Sequence, residues 1–160
     1  MKFDFDIEIY EDMIGLDPTA RDYLDFRMNI HIIDKGERFE LCTSTFNSAI
    51  LLGILEGLID IYEGKGNTFT VEMFESNYEL HFSYNTHYLK VQRYEASDGE
   101  IEIEIQLSYR LDDFVKAFVK ESKKFAQYIL KMDEDAFEFE YYKVFNDDIN
   151  VLNNHLQNLI

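Results

Sequence analysis

The sequence predicts an α+β fold: an antiparallel sheet of about six or seven strands, one apolar helix after the third strand, and two C-terminal helices. Three observations carry this. Apolar and polar residues alternate with period two near the start of the chain and again between Thr68 and Arg110. Apolar residues recur at helical spacing from Leu111 to Leu130. Short turn segments bearing Gly, Asn, Asp or Ser separate these runs, and no Pro-, Gly- or Ser-rich linker interrupts the 160 residues. A chain of this length with 46% hydrophobic residues reads as one domain, 1–160, able to bury its own core.

The elements follow in order. Phe3, Phe5, Ile7 and Ile9 alternate with Asp4, Asp6, Glu8 and Tyr10, as a strand with one buried and one wet face requires. Asp17-Pro18 breaks the pattern, which resumes through Leu24, Phe26, Met28, Ile30 and Ile32. Lys35-Gly36 then serves as a two-residue turn, setting Ile32 opposite Phe39, Ile30 opposite Leu41 and His31 opposite Glu40. Ser44, Thr45 or Asn47 can cap the apolar helix that runs to about Glu63, where Gly64-Lys65-Gly66-Asn67 stops it. Strands are expected over about 68–75, 78–84, 88–95 and 100–110. A Ser97-Asp98-Gly99 loop would pair Ala96 with Glu100, placing Leu89 and Val91 against Leu107 and Ile105, and Gln92 and Tyr94 against Glu104 and Glu102. Asp112 and Asp113 suit the amino end of the long helix that follows. After Asp133-Glu134-Asp135, a last helix is expected from about Asp147, with 137–145 left unassigned. A central apolar helix within an antiparallel sheet is loosely similar to the hotdog folds of acyl-thioester enzymes, in element order and in no motif.

Charge narrows the function. Fifteen basic residues against 32 acidic ones give −17 at pH 7, a field that repels nucleic acids and anionic membranes and attracts basic proteins. The amino terminus alternates acids with apolar residues and forms no signal-peptide core, and Ala49 to Tyr62 is too short to span a bilayer, so a cytoplasmic protein is expected. Cys42 is single and reads as a buried hydrophobe.

No phosphate-binding loop, dinucleotide motif, nucleophile elbow, zinc-protease motif or paired Cys motif is present, and no catalytic residue, metal or cofactor is assigned. His81 and His87 flank a turn at Asn85-Thr86 and would point to opposite faces, while His155 falls on the polar side of the last helix. Glu56 and Asp60 stand one turn apart with Gly53 and Gly57 on their stripe. They read either as an acid/base pair of a small-molecule or acyl-binding enzyme, or as the polar edge of a buried helix whose glycines admit a strand or a second subunit. Glu100, Glu102 and Glu104 on one strand face, with Tyr94 and with Asp133, Glu134 and Asp135, form the candidate partner-binding surface; a solvated face is the alternative. Lys116, Lys120, Lys123, Lys124 and Lys131 gather on the long helix, so the molecule is polarised. The leading expectation is an inhibitor or immunity-type module capturing a basic toxin or nuclease. An enzyme and a structural homo-oligomer, paired through the glycine stripe or the first strand, are the alternatives.

Overall fold

The computed structural model describes residues 3–9, 28–44, 47–73, 77–97 and 99–158. Among these, the strands are β1 (Phe3–Ile9), β2 (Met28–Asp34), β3 (Glu37–Ser44), β4 (Thr68–Glu72), β5 (Tyr78–Asn85), β6 (Tyr88–Ser97) and β7 (Glu100–Arg110). Helix α1 (Asn47–Tyr62) follows β3, and α2 (Leu111–Met132) and α3 (Glu140–Gln157) close the chain, joined through a 3-10 turn at Ala136–Glu138. All pairing is antiparallel. The α+β class and element order are those expected. The seven strands divide into two sheets, β1-β2-β3 and β4-β5-β6-β7, instead of curling as one around α1, so the likeness to hotdog folds ends at element order. Asp17-Pro18, Leu24, Phe26, Thr45, Glu75, Ser76 and Asp98 lie outside the described residues.

In the first sheet, Lys35 and Gly36 both take positive φ, +53° and +83°, which gives the tight hairpin its right-handed twist. Ile32 faces Phe39 and His31 faces Glu40 as expected, but Ile30 faces Cys42 and not Leu41. A bulge makes Leu41 the surplus residue, and both Leu41 and Cys42 turn inward to near-complete burial. Phe5 packs edge-on against Phe114 and Phe118 of α2, at 5.1 and 5.3 Å. The acids between the apolar residues of β1 have cations: Asp4 meets Lys120 at 3.2 Å, and Asp6 and Glu8 meet Arg38 at 2.7 and 2.9 Å.

In the second sheet, Asn85 pairs with Tyr88, so the connection shifts to Thr86 and His87, and Thr86 takes φ +59°. The last hairpin departs further. Ser97, not Ala96, pairs with Glu100. A bulge follows, with Arg93 opposite Ile105 and Tyr94 opposite Ile103, so Glu104 has no partner position. The two slips add, setting Leu89 against Tyr109, Val91 against Leu107 and Gln92 against Gln106.

The helices close the core. Helix α1 lies between β4 and α3, and Gly57 lets it touch the strand: a Cβ there would stand 2.4 Å from the Phe69 ring, itself stacked on Phe82 at 4.4 Å. Helix α3 begins at Glu140, ahead of the expected Asp147, because Tyr142, Phe145, Ile149 and Leu152 make one continuous buried stripe. Phe145 meets Phe125 of α2 edge-on at 5.8 Å. His155 is half-buried, stacked on Tyr62 of α1 at 5.3 Å, and not on a solvated face. No helix among the described residues is long and apolar enough to cross a membrane.

Two side chains of the second sheet reach the first. Tyr109 stacks on Phe3 at 4.0 Å and donates its hydroxyl to Asp34 at 3.0 Å. Arg93 Nη1 donates to the Glu40 carbonyl of edge strand β3 at 2.6 Å.

Candidate protein-binding surface

Arg93 sits among carboxylates of β6 and β7 and reaches the β3 backbone. Alternation puts Arg93 and Glu95 on the same face of β6, and the ladder sets Glu95 between Tyr78 and Glu102. Arg93 Nη2 holds Glu104 at 2.8 Å, and its guanidinium lies 4.7 Å above the Tyr78 ring. Glu40 reaches the same place through its carbonyl, while its carboxylate accepts the Thr43 hydroxyl. Three carboxylates, Glu95, Glu102 and Glu104, therefore gather beside Arg93.

The electrostatic consequence shows on Glu95. A side-chain hydrogen bond to Glu104 raises its pKa above the ordinary carboxylate value, with desolvation and the charges of Glu104 and Glu102 adding and Arg93 opposing. Tyr78 is raised too, first by Glu104 and then by Glu95. The group holds more negative charge than its own cation offsets.

The bulge at Glu104 changes what lies on the other face. Tyr94 and Ala96 pair with Ile103 and Ile101, so this face carries an apolar row where the rest of the sheet is polar. Ile101 is 70% exposed and Ile103 49%. Residues 100–104 are all exposed, and β7 has no strand on its outer side among the described residues.

The expected surface is therefore regrouped. Glu100 and Glu102 share a face with Glu104 and Glu95, whereas Tyr94 points the opposite way: its hydroxyl donates to Gln92 at 2.9 Å and its ring lies 4.2 Å from His81. Asp133, Glu134 and Asp135 form the turn after α2, where the Asp133 carboxylate accepts the Asp135 N–H. The ladder does not join them to β7. Arg93, Glu95, Glu40 and Tyr78 were not singled out from sequence. Taking Asp98-Gly99 as a two-residue turn, the commonest hairpin signal of that kind, would have paired Glu95 with Glu102.

The other candidates fall elsewhere. Glu56 and Asp60 are exposed on α1, where Glu56 faces Asp148 of α3. Burial first, and Glu56 second, push Asp148 up to about 6. Neither Glu56 nor Asp60 lines either of two described cavities: one of about 240 Å³ between Ile7, Ile9, Glu121, Lys124, Phe125 and Tyr128, the other of about 260 Å³ between Glu72, Met73, Asn77, Tyr78, Glu79 and Ala96. Val71 and Phe69 of β4 occupy the Gly53-Gly57 stripe. Helix α2 lies along β1, and Glu121 accepts the Ile7 N–H at 3.1 Å. Within the chain, β4 therefore lies against the glycine stripe and α2 against β1. Burial raises the Cys42 thiol to about 12, an inert value. No group of three or more His, Cys, Asp or Glu among the described residues is arranged to hold a metal.

Comparison of the chain with family models, curated proteins and solved structures found no match in any of the three.

Proposed function

We propose that the chain is a cytoplasmic protein-binding module that captures a basic partner through the carboxylates of β6 and β7, as an inhibitor or immunity-type protein would capture a toxin or nuclease. The observation that carries this reading is the Glu95, Glu102 and Glu104 group. Like charges stand across the ladder from one another with one guanidinium beside them, and Glu95, hydrogen-bonded to Glu104, holds its proton more tightly than an ordinary carboxylate. A partner's Lys or Arg side chains supply the missing charge. A chain at −17 steers such a partner from a distance, and a nuclease is a fitting one because it carries its own basic surface for phosphates.

The test begins with capture of partners on the immobilised chain from its native cell, followed by stopped-flow association of the retained protein. Reversing Glu100, Glu102 and Glu104 to Lys should slow association about ten-fold or more at low salt. The difference should shrink as salt screens the charges. Unchanged kinetics, or a retained partner that is itself acidic, would remove this face from the interaction.

A further inference from the structure

The outer edge of β7, which no described strand covers, suggests how the partner is held. Steering by carboxylates explains capture but leaves two features unused: a strand edge over Glu100 to Glu104 that is unpaired among the described residues, and Ile101 and Ile103 exposed beside it. Edge strands of this kind pair with further strands unless something prevents it. We infer that an extended partner segment alternating basic and apolar residues adds to the outer edge of β7 as a fifth strand of this sheet. This rests on the acidic-face reading above and goes beyond it by assigning the mode of recognition.

The alternation of β7 dictates the chemistry of the segment. Residues opposite each other in a ladder point to the same face. Partner residues opposite Glu100 and Glu102 meet carboxylates and must be Lys or Arg; those opposite Ile101 and Ile103 meet apolar side chains and must be apolar. Main-chain hydrogen bonds supply affinity, and the two rows supply specificity. The apolar row continues across the sheet through Ala96 and Tyr94, so an added strand extends a surface already begun.

A second copy of this chain does not meet the requirement. In antiparallel pairing, residues whose N–H and C=O point outward must face one another, and these alternate along Glu100 to Ile103, so two copies of this edge set Glu opposite Glu. The facing carboxylates repel. The same acids that select a basic strand therefore discourage self-pairing.

The test uses the full chain and a labelled peptide of about twelve residues alternating Lys and Val, long enough to cover the edge. Its control is the same peptide N-methylated throughout its centre, which keeps charge and side chains and removes the N–H groups that could pair. By fluorescence anisotropy at low salt, N-methylation is expected to weaken binding about ten-fold or more, as the loss of several main-chain hydrogen bonds would. Ile101→Lys should weaken the parent peptide, and the parent alone should slow amide exchange at 100–104. Equal binding of the two peptides, or unchanged exchange over 100–104, overturns strand addition. If both are then lost on reversal of Glu100 and Glu102 to Lys, the acidic-face reading stands without it. Binding by neither peptide, or binding indifferent to charge reversal, overturns both. A concentration-dependent dimer that protects 100–104 in the absence of peptide would replace the partner strand by a second copy.

Discussion

The strands β1 and β7 begin almost alike in sequence and end in opposite circumstances. Phe3-Asp4-Phe5-Asp6-Ile7-Glu8-Ile9 and Glu100-Ile101-Glu102-Ile103-Glu104-Ile105 both alternate acids with large apolar residues, and both lie at a sheet edge. Helix α2 covers the first, burying Phe5 to 4% exposure and taking the Ile7 N–H on Glu121, and cations sit beside its acids. Nothing among the described strands covers the second, and its acids outnumber the guanidinium beside them. Alternation makes an amphipathic strand; what lies over the strand decides whether its apolar row is core or surface.

Paired truncations give the sharpest test of that contrast. Phe5→Ala should cost about 3–5 kcal/mol in urea unfolding, because it removes a ring from the contact with Phe114 and Phe118. Ile101→Ala should stay within about 0.5 kcal/mol of wild type, as an exposed residue does. Similar losses at both positions would mean that the β7 apolar row is covered after all.

Edge strand β4 extends the comparison, since α1 closes on it through glycine. Gly57→Ala forces a methyl into a Phe69 ring already fixed by its stack on Phe82, and should cost about 1–3 kcal/mol as overpacking does. Gly53→Ala meets Val71 only at 3.4 Å, and gains up to about 1 kcal/mol in helix propensity. Thermal melts of the two variants should therefore move in opposite directions.

The smallest effect concerns pH. Because the folded pKa of Glu95 is raised, the folded chain holds that proton more tightly than the unfolded chain, and stability from this group falls as pH rises through the raised value. Glu95→Gln should raise the melting temperature slightly at pH 7 and leave it unchanged in acid. The same substitution raising it equally at both pH values would show that charge is not the cause.

Periodicity and turn chemistry made the elements legible. Lys35-Gly36, the helix after β3 and the long α2 stripe all stand where spacing placed them. Bulges were not legible, because a surplus residue such as Leu41 or Glu104 leaves the composition of its strand unchanged and alters only what faces what. The candidate surface suffered for that reason: Glu100, Glu102 and Glu104 were assigned to one face, but Tyr94 was assigned to it too. Cover was equally hidden, since the packing of α2 on β1 joins residues more than a hundred positions apart, as in the Ile7–Glu121 bond. The start of α3 was obscured by a run, 137–145, so rich in aromatics that strand and helix spacing both fit it.

Glu104 carries a consequence for insertions and deletions. It is the one position in β7 that β6 does not oppose, so a chain shorter by that codon could still pair Ile105 with Arg93 and Ile103 with Tyr94. Such a chain would keep its ladder and its exposed isoleucines, yet Arg93 would lose the carboxylate it holds at 2.8 Å. Length variation at a single site could thus retune the charge of this surface while the architecture beneath it stayed the same.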